Sequence, residues 1–350
     1  MIRVLAEAAK NIKSAAGNRG EKIRMKIQEL RNLIKTADRE RLEKAFAESY
    51  KRFTKGQKEE VDQIIADALS GKEAKRGTEK DPVDFESLER QIREFLENAY
   101  AQNYFAPNRI IPKNQRPKWR FLVKNFIKEL EKIPPDSPWH HGAVKLLRDL
   151  YHLICEACNY YLFSTDDAFR SIGWEQPELF KLLVKKTFAG GFSPEAISGL
   201  LCDATSGGLS RECLHVQQEA VLVSNLNTSD LKYMALEEAK KLVEEKRTKL
   251  RGAGKRNNTY IQREEIDNLC DMILMLAIEL AEPEKGVPYY FDNCEENDKE
   301  IILYRALKIV DWFGSDELWV EVYKYGIKKK IEPRERLRKE YESRREETAH

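Results

Sequence analysis

The sequence predicts an all-α protein, and three observations carry that expectation. Apolar residues recur at intervals of three and four along most of the chain, as in residues 20–36, where Ile23, Ile27, Leu30 and Ile34 stand with Lys, Arg, Gln and Glu between them. Glycine and proline number only 17 and 12 among 350 residues. At about 8% together, against roughly 12% in average chains, they are too sparse for a turn-dense all-β domain, collagen or low-complexity disorder. No window of four to eight residues alternates apolar and polar side chains with β-branched enrichment, so little or no sheet is expected.

The first helical stretch continues past Ile34 through Leu42, Ala45, Phe46 and Phe53, breaks at Gly56 and resumes at Val61, Ile64, Ile65 and Leu69. Three or four antiparallel helices over 1–71 fit this pattern. Residues 72–82 lose every large apolar side chain and end on Pro82, which marks an exposed hydrophilic linker. A larger helical domain is expected over 83–350.

In that domain Asp84 or Ser87 is a good N-cap for a helix running to about residue 104. Pro107, Pro112 and Pro117 cannot sit inside one helix, so 105–118 reads as an extended loop. Helices are expected at 119–133, up to Pro134-Pro135, and at 140–163. Further stretches follow at 177–188, 194–204, 210–224, 230–250, 263–281, 299–313, 316–330 and 333–346.

Two of these stretches echo each other at an offset of 139 residues. Glu178-Leu179-Phe180 precedes Pro194 as Glu317-Leu318-Trp319 precedes Pro333, and Leu183, Lys185, Phe188 and Phe192 align with Val322, Lys324, Ile327 and Ile331. Each copy reads as a helix, a short turn and a second helix opening on proline, whose missing N–H costs nothing at a first helical position. An aromatic lies just upstream in both, Trp174 and Trp312. The pattern resembles armadillo or HEAT-type helical repeats over about 119–345. That resemblance implies helix pairs stacked into an irregular α-solenoid, the alternative being a multi-helix bundle.

No catalytic or cofactor motif survives inspection, and no cofactor is expected. His152, Cys155 and Cys158, with Cys202, Cys213 and His215 downstream, have the residue types of a zinc site. On a helix, however, the first three fan over about 120°, and buried cysteine is an ordinary small hydrophobe, so core packing is the better reading. Arg148 and His152, four apart, resemble the pair of HEPN-type ribonucleases. That family keeps four to six residues between the two and here there are three, so the assignment is withheld. Gly252-Ala253-Gly254-Lys255 lacks the first glycine, the Ser/Thr and the preceding strand of a phosphate loop. Gly190-Gly191 and Gly207-Gly208 fall where helices end, and Asp166-Asp167 where one is capped.

Charge layout says more. Charged residues make up 34% of the chain, above the usual quarter, yet the net charge is only +2. The total hides blocks of +7 (1–80), −5 (151–231), +5 (232–264) and −8 (265–312). Between residues 109 and 128, Arg109, Lys113, Arg116, Lys118, Arg120, Lys124 and Lys128 occur with no acid, interleaved with Trp119, Phe121 and Phe126. Basic side chains attract phosphates and exposed aromatics stack bases, so Arg109, Lys113, Arg116, Lys118, Trp119, Arg120 and Lys124 are candidate contacts to nucleic acid or another partner. Arg251, Lys255 and Arg256 form a second such loop. The same basic blocks can instead pair with the acidic ones, within the fold or in a homo-oligomer.

The longest apolar run, residues 272–281, spans ten positions and contains Glu279, half of what a membrane span needs. The N-terminus has no continuous apolar core and reads as the first helix of a soluble domain. Six dispersed cysteines suit a reducing, cytoplasmic setting. The leading functional expectation is a non-enzymatic helical scaffold that presents a helix-pair surface to a protein partner. The alternative is a nucleic-acid-binding or processing protein that uses 109–128 and 251–258.

Overall fold

A computed structural model describes residues 33–53, 58, 62, 65, 84–108, 110–252 and 259–347. Among these residues every regular element is helical: fourteen α-helices and one 3-10 turn, with no strand. The chain divides into two units, Met1–Asp81 and Pro82–His350. In the first unit α1 (Arg39–Lys51) starts where Asp38 accepts a hydrogen bond from the backbone N–H of Arg41, and it buries none of its residues. The helices expected at 20–32 and the linker expected at 72–82 lie outside the described residues.

The second unit opens with α2 (Phe85–Tyr100), capped by Asp84. A single 3-10 turn (Arg116–Lys118) accommodates Pro117 and leads into α3 (Trp119–Glu131), followed by α4 (His140–Asn159). Then come α5 (Ala168–Ile172), α6 (Gln176–Ala189), α7 (Pro194–Thr205) and α8 (His215–Asn225). The last six are α9 (Ser229–Gly252), α10 (Tyr260–Glu279), α11 (Pro283–Asn293), α12 (Lys299–Phe313), α13 (Asp316–Lys328) and α14 (Glu335–Glu347).

Three boundaries differ from the sequence expectation, each for a local reason. Residues 210–214 are not helical, because Ser210 and Arg211 turn their backbone N–H groups to the side chains of Gln176 and Asp167 instead of to a helix. α11 was not expected, since Pro288 stands inside it; the carbonyl Pro288 leaves unpaired belongs to Glu284, which is exposed to water. In the second half of the 139-residue echo the closing helix begins at Glu335, after Pro333, whereas Pro194 does open α7 behind its Ser193 cap. The first helices of the echo do agree: Phe180 and Trp319, and Leu183 and Val322, are all buried.

Packing runs along the chain from α4, which touches α2, α3, α5 and α6, through α6–α8, α8–α7 and α7–α9 to α10. A regular solenoid would let each pair touch only its neighbours. Here α10 packs against α7, α8, α9, α11 and α12, and Ile266 to Ala277 are buried without a break. At roughly 1.5–3 kcal/mol per buried large aliphatic side chain, this helix is the main hydrophobic contribution of the C-terminal half. The stack then ends in α12–α13 and α13–α14, the last joined by Tyr323 stacked on Tyr341 with ring centroids 4.3 Å apart. Among the described residues no helix is long and apolar enough to cross a membrane.

Candidate functional site

The basic segment of residues 109–128 resolves into a strip along one helix. Arg120, Lys124 and Lys128 follow at four-residue spacing on the exposed face of α3, with Lys113 and Lys118 exposed just before it. Phe121 is 53% exposed and carries the Arg120 guanidinium 5.0 Å above its ring. Arg116 is half-buried and donates from Nε to the carbonyl of Ile111, closing its own loop. Among the described residues none of Lys113, Lys118, Arg120, Lys124 and Lys128 has an acidic partner.

Trp119 has to be taken out of that surface. It is only 5% exposed and stacks on Phe163 at 3.9 Å, so it holds α3 to the core and cannot stack a base. Phe126 is buried as well. Arg109, Lys255 and Arg256 lie outside the described residues, and Arg251 is exposed at the end of α9. Of the helices that carry the described parts of these regions, α9 packs on α7 and α10, while α3 packs on α4 and α5.

Three cations of the +5 block spanning 232–264 are spent inside the fold. Lys232 pairs with Glu279, Lys246 with Glu265 and Arg247 with Glu295, at 2.6, 2.7 and 2.8 Å, joining α9 to α10 and to the segment after α11.

His152 and the cysteines of α4 diverge. His152 Nε2 lies 2.7 Å from Asp203 Oδ1, and Arg148 Nε lies 2.8 Å from Asp203 Oδ2. The buried Asp203 thereby clamps α4 to α7. At this crossing Gly199 has no Cβ, which would stand 3.1 Å from Arg148 Nη1. The guanidinium therefore lies against α7. Cys155 is buried and takes the amide of Gln176, and burial pushes its thiol far up. Among the described residues no group of three or more His, Cys, Asp or Glu is arranged to hold a metal ion.

A different surface gathers more of what a binding site needs. α12 buries Ile302, Leu303, Ala306, Leu307 and Val310, yet its opposite face is also apolar. Ile301, Tyr304 and Trp312 stand in a row with Lys308, and Tyr304 and Trp312 are 46% and 56% exposed. A solvent-facing stripe is ordinarily polar, and Trp and Tyr are the residues most enriched at binding hot spots.

Hollows flank this ridge on both sides. One, of about 390 Å³, lies toward α8 and α10 and is walled by Leu214, Val216, Ile309 and Trp312. The other, of about 280 Å³, lies toward α14, between Ile301, Tyr304 and Leu337. Tyr304 and Lys308 line both.

The floor of the larger hollow is polar. Arg305 donates to Asn268 Oδ1 at 3.0 Å and to Asp271 Oδ2, and Asn268 donates to the carbonyl of Thr205 at 3.0 Å. His215 Nδ1 faces the carbonyl of Ala204 at 3.2 Å, which fixes the proton there in the neutral ring, and burial lowers the His215 pKa. Deeper still, the fully buried Glu219 has no hydrogen-bond partner for either carboxyl oxygen. Burial and the neighbouring Asp271 raise its pKa well above the usual range. Asp267, which accepts from the backbone N–H of Glu295, is pushed up to about 6 by burial. Asp271 is raised by burial too, against the pull of Arg305. Arg305 and Asp271 thus form an ion pair in the floor, under apolar walls.

No family model, curated protein or solved structure matches this chain. The α12 ridge was legible in principle, because 301, 304, 308 and 312 fall on one helical face opposite 302, 303, 306 and 310. The floor was not. Its partners are 34 to 37 residues apart for Arg305 and 63 for Asn268 and Thr205.

Proposed function

We propose that this protein is a helical scaffold that binds a protein partner along the α12 ridge. The observation that carries this reading is the row Ile301, Tyr304 and Trp312, exposed on a helix whose other face is already buried. Hollows of this size accept one large side chain each, and a ridge with Trp and Tyr between them has the composition of a binding hot spot. The polar floor supplies rigidity, through Arg305 bridging Asn268 and Asp271. The test is affinity capture with the full chain and with a Tyr304→Ser/Trp312→Ser double variant. A partner recovered by the wild type should be lost with the variant, and its affinity in a purified titration should fall at least about a hundredfold, because two hot-spot side chains are typically worth 2 kcal/mol or more each. Equal recovery by both proteins would sink this reading.

A second reading rests on the cations of α3 and of the segment just before it, which have no acidic partner among the described residues. Lys113, Lys118, Arg120, Lys124 and Lys128 beside the exposed Phe121 suit a nucleic-acid backbone with one stacked base. A gel-shift series against salt tests it. Binding at low salt should weaken with added salt and disappear in Arg120→Glu/Lys124→Glu; no shift at low salt would eliminate it.

A further inference from the structure

We infer that the segment bound at the α12 ridge is acidic, with a large apolar side chain that enters the hollow beside Trp312. This inference rests on the ridge being the docking face and adds the chemistry of the partner. The charges around the ridge are paired, but the two signs are not equally presented. Arg334 is 80% exposed while its partner Glu300 is 19% exposed, and Lys308 is 49% exposed over an Asp311 that is 16% exposed. Arg336, which lines the hollow toward α14, is exposed and has no acidic partner among the described residues. An approaching chain therefore meets the cations first, with the carboxylates tucked beneath them. Of the half-buried acids that line the hollows, Glu264 stands on the far wall by α10, while Glu340 on the α14 side is paired with Arg344 at 3.0 Å, which leaves Arg334 and Arg336 as the outward charges there. The partner's negative charge is thus set toward α14.

The anchor is apolar for a separate reason. Leu214, Val216, Ile309 and Trp312 form the walls of the larger hollow. In the floor Arg305 Nη2 is already engaged by Asn268 Oδ1 and Asp271 Oδ2, so what an entering side chain mainly meets is the apolar walls. A Trp, Phe or Leu side chain loses nothing polar and fills the space. Exposed cations then select an acidic segment by steering and by repelling basic ones, which is where electrostatics contributes most to recognition.

Selection from a random 16-residue peptide library on the immobilised full chain, with depletion on Tyr304→Ser/Trp312→Ser, decides the matter. Tyr304 and Trp312 are exposed, so the double variant should melt at the wild-type temperature, which is checked first by circular dichroism. The expected result is a set of ridge-dependent peptides enriched in Asp and Glu around one Trp, Phe or Leu. A representative of that set should bind at least about tenfold more weakly to Arg334→Glu/Arg336→Glu. Ridge-dependent peptides that are basic or uncharged would overturn the acidic inference and leave the docking face standing. An absence of any ridge-dependent peptide would overturn both. Self-association of the chain that the double variant abolishes would make a second copy the occupant and would likewise overturn it.

Discussion

Glu219 stands in an environment far from what a glutamate prefers. It is fully buried, has no hydrogen-bond partner and sits near Asp271, so the folded chain keeps a proton that the unfolded chain releases above the ordinary glutamate range. A carboxyl whose folded pKa is raised loses stability as pH rises from the unfolded value toward the folded one. Each pH unit in that window costs about 1.4 kcal/mol for one such group. Asp267, raised to about 6, adds to the loss between its ordinary range near 4 and pH 6. His215, lowered by burial, works in the opposite direction across its own range. The clean observable is therefore a difference. The stability of Glu219→Gln relative to wild type, from urea unfolding at pH 5, 6 and 7, should grow in favour of the variant as pH rises. A constant difference would mean that Glu219 is ionised in the fold. Asp203 is a contrasting case, a buried side chain hydrogen-bonded through Oδ1 to His152 and ion-paired through Oδ2 with Arg148. Asp203→Ala should cost about 3 kcal/mol in the same assay, because breaking a buried pair leaves a charge uncompensated. A cost below about 1 kcal/mol would show that the clamp between α4 and α7 carries little.

At the scale of elements, helices read well from the sequence wherever one strong face met one strong cap. Asp84 before α2 caps as expected and Pro194 opens α7 at its first position as expected, and Ser193 and Asp298 cap α7 and α12 in the same way. Reading failed where tertiary partners outbid the local pattern. The apolar period at 210–214 looked helical, but Asp167 and Gln176 claim its N–H groups from more than 30 residues away. The helix pair α10–α11 adds a constraint that the sequence does not announce. Gly286 brings α11 so close to α10 that a Cβ there would stand 2.4 Å from Cβ of Ala277. Neither atom belongs to a flexible side chain, so Gly286→Ala must push the helices apart. Its expected cost is about 1–3 kcal/mol by overpacking, which outweighs the gain in helix propensity of up to about 1 kcal/mol. Thermal unfolding measures it, and a variant as stable as wild type would mean that α11 is free to shift.

For the whole molecule, the nearly neutral total is made of blocks with different fates. The basic block of α9 is paired with the acidic block that follows it, through Lys232, Lys246 and Arg247. The basic strip of α3 has no such partner among the described residues and keeps its charge for solvent or for a ligand. The sequence showed that the blocks exist, but only the stack determines which of them meet. The all-α class was equally plain from periodicity, whereas α12 showed two apolar faces in sequence and nothing local told which of them is exposed. Two surfaces consequently compete for the role of docking face, the apolar ridge of α12 and the cationic strip of α3. Hydrogen–deuterium exchange on the full chain, alone and saturated with a purified protein recovered by affinity capture on wild type, separates them directly. The account predicts slowed exchange in residues 299–313 and 334–340 with no change in 113–128, and protection confined to 113–128 would contradict it.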